Sequence, residues 1–197
     1  MTQTPSLLPH VYLLRHGETA WSLSGQHTGR TDIPLTAHGE QEARALGERL
    51  RNVSFAHVMS SPMQRARDTC ALAGLAGRMQ IEPDLAEWDY GDYEGARLVE
   101  IHRERPAWNI FRDGCPHGET PDDVTARADR LIARVRTFEG DIALCSHGHF
   151  GRALGARWIG LPVAAAGHLV LGTASLSVLG YEHQSPDEPA IVRWNVP

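Results

Sequence analysis

Short apolar runs alternate with longer amphipathic stretches along this 197-residue chain. Apolar runs of four to six residues that stop at polar or glycine-containing turns are typical of buried strands. The predicted strands cover residues 11–14, 56–59, 79–82, 141–145, 176–181 and 190–194. The first and fourth of these runs stop at a His-Gly pair, so polar side chains are expected where those strands end.

Between the strands, apolar residues recur at the spacing of a helix. Thr36 is positioned to cap one helix, and Thr120, followed by proline and two aspartates, opens another. Ser61 followed by proline predicts the N-cap and first turn of a helix that runs to about residue 73. A fourth helix is predicted through 152–159. Strands that alternate with helices predict a layered α/β domain with a mostly parallel sheet.

Composition narrows the class of protein. Apolar residues make up 42% and charged residues 22%, which is typical of a globular chain, and the length suits a single domain over 1–197. The net charge of -5 argues against nucleic-acid or membrane partners. Three cysteines without a close pair and the absence of a signal-like N-terminus predict a cytoplasmic protein. Whether the chain forms a homo-oligomer is left open.

Chemistry is expected at the ends of the strands, where sites of parallel α/β sheets lie. Arg15 and His16 follow the first strand, His147 follows the fourth, and Arg65 lies in the helix after the second. Arginine holds phosphate oxygens with its planar fork, and a neutral imidazole can attack phosphorus. The pattern therefore predicts phosphoryl transfer. A zinc site at His147 and His149 is disfavoured, since no cysteine or carboxylate follows at ligand spacing.

The same residues carry a resemblance to a known family. The motifs, in order, are Leu14-Arg15-His16-Gly17-Glu18-Thr19, Thr28-Gly29, Ser61-Pro62 with Arg65-Ala66, Glu87 before Tyr90-Gly91, Ser146-His147-Gly148 and Arg152-Ala153-Leu154. Together they resemble the histidine phosphatase superfamily, the phosphoglycerate mutase-like proteins. The resemblance covers nearly the whole chain. It implies one three-layer α/β domain with helices on both faces of the sheet, and no metal or other cofactor.

Roles for individual residues follow from this resemblance. His16 would be the nucleophile that becomes phosphohistidine, and Glu87 would be the general acid and base. Arg15, Arg65 and His147 would form the phosphate pocket. The predicted substrate contacts are Ser22, Thr28, Gly29, Tyr90, Arg112 and His149. Residues 84–120 are expected to form a loop-rich cap over the active site, with Arg112 available to a second phosphate.

Longer strings, such as Tyr90-Gly91-Asp92-Tyr93-Glu94-Gly95 and Trp108-Asn109-Ile110, resemble the sedoheptulose-1,7-bisphosphatase branch. The branch suggests a phosphohydrolase of small phosphorylated sugars, including a sugar bisphosphatase. The alternatives are a bisphosphoglycerate-dependent phosphoglycerate mutase, a broad-specificity phosphatase and a non-catalytic module that binds phosphate ligands. Such mutases carry paired arginines in a longer middle insertion, whereas no adjacent arginines occur between Glu87 and Thr120. Hydrolysis is therefore favoured.

Overall fold

The computed structural model describes residues 8–197, and six strands in that range form one sheet. The strands are β1 (Val11–Arg15), β2 (Phe55–Ser60), β3 (Met79–Ile81), β4 (Asp141–Ser146), β5 (Leu176–Tyr181) and β6 (Pro189–Val196). Their order in the sheet is β3-β2-β4-β1-β5-β6. All six predicted strands are present, with ends that differ from the prediction by at most two residues.

The centre of the sheet is parallel. Strands β3, β2, β4 and β1 run in the same direction, and β5 pairs antiparallel with both β1 and β6. In this register Arg15 pairs with Ser146, and Ser60 pairs with Cys145. The carboxyl ends of β1, β4 and β2 therefore lie side by side, and the loops that follow them meet at one edge.

Seven helices lie in the described part of the chain. They are α1 (Ala20–Ser24), α2 (Ala37–Leu50), α3 (Gln64–Leu72), α4 (Leu98–Glu104), α5 (Ile110–Asp113), α6 (Pro121–Val135) and α7 (Gly148–Trp158). Thr36 caps α2 and Thr120 caps α6, as predicted. None of the helices in residues 8–197 has both the length and the apolar composition that crossing a membrane requires.

Alternation along the strands divides the core in two. On β1, Leu13 packs in a cluster with residues of α6 and α7, whereas its neighbour Leu14 packs in a cluster with residues of α2 and α3. Successive side chains of a strand point to opposite faces, so each face of the sheet is covered by its own helices. The predicted three-layer α/β fold is confirmed.

Two helix boundaries need correction. Helix α3 begins at Gln64 rather than at Ser61, because the amide of Gln64 donates to the Asp32 carboxylate (2.7 Å) and the Ser61 hydroxyl is used elsewhere. A cap supplied from 32 residues away leaves no local signal. Helix α7 begins at Gly148, directly after the strand, and not at Arg152.

The segment 84–120 contains more structure than its weak periodicity indicated. Helices α4 and α5 lie within it, and it places Ile101, Trp108, Ile110 and Phe111 in the core cluster shared with α6 and α7. These helices have seven and four residues, too few to display a period. Their conformation depends on packing, which is why the sequence pattern did not reveal them. A capping role for this segment stays a prediction.

Candidate active site

A cavity of about 190 Å³ opens where β1 and β4 end. Seven of the eleven predicted site residues line it: Arg15, His16, Ser22, Thr28, Glu87, Tyr90 and His149. Residues of α1, of the loop that follows it, of the 84–120 segment and of α7 therefore share one pocket. The convergence predicted from the strand ends is present in the structure.

The protonation of His16 follows from a single hydrogen bond. Its Nδ1 lies 2.7 Å from the carbonyl oxygen of Gly17, which can only accept, so Nδ1 carries the proton. Nε2 is then the unprotonated nitrogen. Burial, followed by the charges of Arg15 and Arg65, holds the pKa of His16 well below its usual value. The ring is neutral at pH 7 and has a nucleophilic lone pair on Nε2.

Arg15 has a buried donor that no protein group satisfies. Its Nη1 donates to the carbonyl of Leu171, but the buried Nε has no hydrogen-bond partner among residues 8–197. A buried donor left unpaired costs about 1–3 kcal/mol, so such groups usually have a role. Gly148 makes room for this side chain, since a Cβ there would lie 3.3 Å from the guanidinium carbon. The geometry suits an anion placed beside His16.

Arg65 and His147 lie behind the cavity lining. Arg65 is fully buried and donates to the carbonyls of Thr28 and Gly29 (2.9 Å each) and Thr31 (3.1 Å). Its Nε donates to Nδ1 of His147 (3.2 Å). Four of the five N–H groups of a guanidinium are thereby used within the protein. This side chain therefore fixes the loop that forms one wall of the pocket.

His147 is a neutral imidazole with both nitrogens in use. Because Nδ1 accepts from Arg65, Nε2 carries the proton and donates to the hydroxyl of Ser61 at 2.7 Å. Burial and the charge of Arg65 hold its pKa well below the usual value. The ring stands edge-on to His16, with 5.2 Å between the ring centroids. Ser61 thus orients His147, and its hydroxyl also accepts from the amide of Met63 (3.3 Å), one residue before α3 begins.

Glu87 is buried at the N-terminus of α7. Its carboxylate accepts from the amides of His149 (3.0 Å), Phe150 (2.8 Å) and Trp88 (2.9 Å). Burial by itself would raise the pKa of Glu87, but these three amides favour the charged form and hold the pKa below its usual value. Glu87 is therefore a carboxylate in the free protein, stabilised at the positive end of a helix.

Three contacting rings form one part of the cavity lining. Tyr90 and His149 share a hydrogen bond of 2.6 Å between the phenol oxygen and Nδ1, and His27 is stacked on His149 with 5.8 Å between centroids. Burial lowers the pKa of His149 to about 3, so this ring is also neutral. The wall combines flat faces with hydrogen-bonding edges, which suits a polar organic group next to the phosphate.

The remaining predicted contacts divide into two pairs. Ser22 and Thr28 line the cavity, although the Ser22 hydroxyl also takes part in the cap of α1. Gly29 and Arg112 do not line the cavity, and their substrate contacts stay predictions. The amide of Gly29 donates to the Glu94 carboxylate (2.9 Å), and Arg112 is exposed and paired with its neighbour Asp113 (2.8 Å).

His27 and Arg152 line the cavity but were not predicted as site residues. Nδ1 of His27 donates to the carbonyl of Ala96 (2.7 Å), which leaves Nε2 unprotonated. Arg152 donates to the carbonyls of Ala166 and Gly167 and lies over the Phe111 ring. Arg152 belongs to the motif Arg152-Ala153-Leu154 that carries part of the family resemblance. Its position in that motif was the signal that could have identified it as a site residue. His27 had none beyond its position before Thr28.

Within residues 8–197 no group of three His, Cys, Asp or Glu side chains is arranged to hold a metal ion. His147, one half of the His-x-His pair, has its two nitrogens bonded to Arg65 and Ser61. Its orientation is therefore set by the protein around it.

Comparisons with known proteins agree with this geometry. An acid phosphatase of Mycobacterium tuberculosis is 42% identical, with 88% of this chain and 87% of the relative covered. Sedoheptulose 1,7-bisphosphatase of Saccharomyces cerevisiae is 36% identical, covering 95% and 93%. A further relative is named a probable phosphoglycerate mutase. The solved structure of a Mycobacterium tuberculosis open reading frame superposes with a TM-score of 0.90 at 38% identity, covering 95% and 97%.

The match to a family extends over almost all of the described chain. Residues 11–197 match the histidine phosphatase superfamily (branch 1), from the first strand through the last. The two segments that carry His16 and His147 both lie inside the matched range. The predicted enzyme class, a phosphoric monoester hydrolase, is confirmed together with the predicted family. The chain belongs to the histidine phosphatase superfamily.

Proposed function

We propose that this protein removes phosphate from small phosphorylated sugars through a phosphohistidine at His16. The observation that carries the proposal is the pairing of two groups in one small cavity. Nε2 of His16 is unprotonated because Nδ1 donates to Gly17, and the buried Nε of Arg15, in the adjacent residue, has no protein partner. A nucleophile beside an unsatisfied cationic donor suits a phosphate ester.

In the first half-reaction, the lone pair on Nε2 of His16 forms a bond to phosphorus. The bond from phosphorus to the ester oxygen breaks, its electrons go to that oxygen, and Glu87 supplies the proton that makes the leaving alcohol neutral. Arg15 neutralises charge on the transferring oxygens. Arg65 and His147 act from behind His16, where their hydrogen bonds hold the pocket in place.

In the second half-reaction, the Glu87 carboxylate accepts a proton from water as the water oxygen bonds to phosphorus. The phosphorus–nitrogen bond breaks and its electrons return to Nε2 of His16, which releases inorganic phosphate. The same carboxyl therefore acts first as an acid and then as a base, as a cycle that restores the enzyme requires.

Glu87 must gain its proton when substrate binds. Its three amide donors favour the carboxylate in the empty site. A phosphate dianion next to the carboxylate raises the pKa of Glu87, because two negative charges at short range repel each other. The enzyme is then in its reactive protonation state only when the pocket is filled. A monoanionic substrate could bring the proton with it, with the same result.

Sugar phosphates suit the rest of the cavity. His27, Tyr90 and His149 supply flat faces and hydrogen-bonding edges, and Arg152 adds a guanidinium that donates to the main-chain carbonyls of Ala166 and Gly167. The name of the yeast relative supports a sugar bisphosphate. We extend the proposal to a cytoplasmic role in carbohydrate metabolism, without nucleic-acid partners, which the net charge of -5 supports.

A panel of sugar mono- and bisphosphates, assayed for released inorganic phosphate, tests the substrate class. We expect a sugar phosphate to exceed 3-phosphoglycerate by at least about tenfold in kcat/KM, or roughly 1.4 kcal/mol. Conversion of 3-phosphoglycerate to its isomer as the dominant activity would instead support the mutase alternative. Similar kcat/KM across unrelated esters would support a broad-specificity phosphatase.

Acid quenching does not preserve phosphohistidine, so the intermediate is best trapped in alkali. We expect the wild-type protein to yield a phosphoryl adduct that is stable in alkali and labile in acid, and His16→Ala to yield neither adduct nor turnover. His38→Ala is the control, since the His38 side chain is largely exposed and does not line the cavity. An adduct stable in acid, or turnover by His16→Ala, would exclude the mechanism.

A further inference from the structure

One arginine outside the cavity uses its whole guanidinium on the segment that carries Glu87. Arg127 of α6 donates to both oxygens of the Glu119 carboxylate, at 2.9 and 2.8 Å. It also donates to the main-chain carbonyls of Asp84 (2.9 Å), Ala86 (2.6 Å) and Glu87 (3.4 Å). These five bonds account for all five N–H groups of the side chain.

Glu119 extends this arrangement to the other side of Glu87. Its Oε2 accepts from the amide of Asp89 at 2.9 Å, and its main-chain carbonyl accepts from the indole N–H of Trp88 at 3.0 Å. Its own amide donates to the carbonyl of Asp89 at 2.9 Å. Residues on both sides of Glu87 are therefore tied to one ion pair between the buried Arg127 and the half-buried Glu119, which we call the Arg127–Glu119 clamp.

The clamp also contacts Phe150, whose amide binds the Glu87 carboxylate. The guanidinium of Arg127 lies over the Phe150 ring, 4.1 Å from its centroid, and the amide of Phe150 donates to the Glu87 carboxylate at 2.8 Å. One side chain thus contacts the backbone that carries Glu87 and the residue that binds its carboxylate. Since Arg127 bonds to the carbonyl of Glu87 and not to the carboxylate, it touches no reacting atom.

We propose that Arg127, held by Glu119, is a positioning residue that sets where the Glu87 carboxyl group lies relative to the leaving oxygen. This inference rests on the proposed role of Glu87 as general acid. Around Glu87 the chain has two short 3₁₀ turns, Pro83–Leu85 and Gly91–Tyr93, and no strand or α-helix lies between β3 and α4 to fix it. A displacement of about 1 Å can lower a rate about a hundredfold, so the clamp controls proton delivery.

The test compares two leaving groups with Arg127→Lys, which keeps the charge but loses the planar fork. An alkyl phosphate needs a proton on its leaving oxygen, whereas p-nitrophenolate leaves unaided. We expect kcat/KM to fall about tenfold or more on the alkyl ester and less than about threefold on p-nitrophenyl phosphate. The ratio kcat/KM reports steps up to formation of the phosphoenzyme, so slow dephosphorylation does not mask the difference.

Arg130→Lys is the matched control. Arg130 lies on the same helix and pairs with the carboxylate of Asp84 (2.7 Å), but it is exposed and holds none of the three carbonyls. We expect it to leave both kcat/KM values within about twofold of wild type. Glu119→Gln is the second variant, available if Arg127→Lys does not fold. It keeps the shape of Glu119 while weakening the clamp, and the same selective loss on the alkyl ester is expected.

Glu87→Gln, measured in parallel, separates the inference from the proposed function. Selective loss in Glu87→Gln with equal losses on both esters in the clamp variants would overturn the positioning role and leave the general acid intact. Equal losses in Glu87→Gln would overturn both. A purely structural clamp lowers the amount of active enzyme and hence affects both esters alike, whereas positioning predicts an unequal loss.

Discussion

The two sides of the cavity are built in different ways. On the phosphate side, His16 and His147 directly follow parallel strands, and Arg65 joins them through hydrogen bonds to main-chain carbonyls and to His147. On the acid side, Glu87 sits in a segment with little regular structure and is fixed by contacts to α6 and α7. Strand ends place a side chain through the sheet itself, whereas a loop must be held from outside.

Because of this difference, we expect substitutions on the two sides of the cavity to have different effects on stability and activity. A change at the phosphate side removes bonds inside the core and should reduce stability together with activity. A change on the acid side should affect proton transfer or recognition while most of the core stays intact. Three experiments test this contrast, in order of decreasing expected effect. They concern Arg65, the buried histidines and Arg112.

Replacing Arg65 should have the largest effect. Arg65→Lys keeps the charge but cannot reach three carbonyls and His147 together, so buried acceptors lose their donors. We expect a loss of about 3 kcal/mol or more in the free energy of unfolding, measured by urea denaturation, with activity lost as well. Arg67→Lys, an exposed position on the same helix, is the control and should change little. Unchanged stability in Arg65→Lys would remove the contrast.

The second-largest expected effect is a loss of folding stability at acid pH, caused by the buried histidines. His16, His147 and His149 have folded-state pKa values below 6.5 because of burial, in the case of His149 about 3. The unfolded chain therefore binds more protons below pH 6.5, so their stabilising contribution is present above that pH and is lost as the pH falls. We expect a loss of about 1 kcal/mol per histidine for each pH unit below 6.5.

Urea denaturation between pH 7 and pH 5 measures this loss, and His149→Asn should reduce the slope. His168→Asn, at an exposed histidine, should not. Glu87 also has a lowered pKa, so its stabilising contribution is lost only below about pH 4.5 and falls outside this range. A flat profile from pH 7 to pH 5 would contradict neutral buried imidazoles.

Arg112 should have the smallest effect. It pairs with Asp113, holds the pKa of that acid at about 2, and has a largely exposed side chain away from the cavity. We expect Arg112→Ala to change kcat/KM for a sugar bisphosphate and its monophosphate alike, by less than about twofold. A selective loss on the bisphosphate would show that Arg112 reaches a second phosphate after all.

Sequence patterns identified the sheet and the phosphate side because both depend on local signals. Strand β4, for example, is an apolar run that ends at Ser146, and its register with β1 follows from the parallel sheet. The predicted residues His16 and His147 therefore meet without any further information. Whether their roles are those of a nucleophile and a phosphate-pocket residue stays a prediction.

The acid side was harder to predict because its contacts join distant parts of the chain. Arg127 lies 40 residues from Glu87, and its spacing of three from Val124 and four from Leu131 puts it beside the apolar stripe of α6 without indicating which groups it binds. Asp32, whose carboxylate accepts from the first amide of α3, lies 32 residues from Gln64. Pairings of this kind depend on how the sheet brings the segments together, so they become visible only in three dimensions.

Glu87 has a structural role and a proposed catalytic role, and both depend on the same carboxylate. Its carboxylate closes the first turn of α7 and is the proposed acid, so Glu87→Ala would leave the amides of Trp88, His149 and Phe150 without an acceptor. In a homologous protein without catalytic activity, a hydrogen-bond acceptor at this position would still stabilise the first turn of α7. Glutamine keeps one acceptor oxygen, which can serve the two amides that share Oε1, and transfers no proton, so a Gln at position 87 in a homologous chain would mark partly retained architecture with lost chemistry.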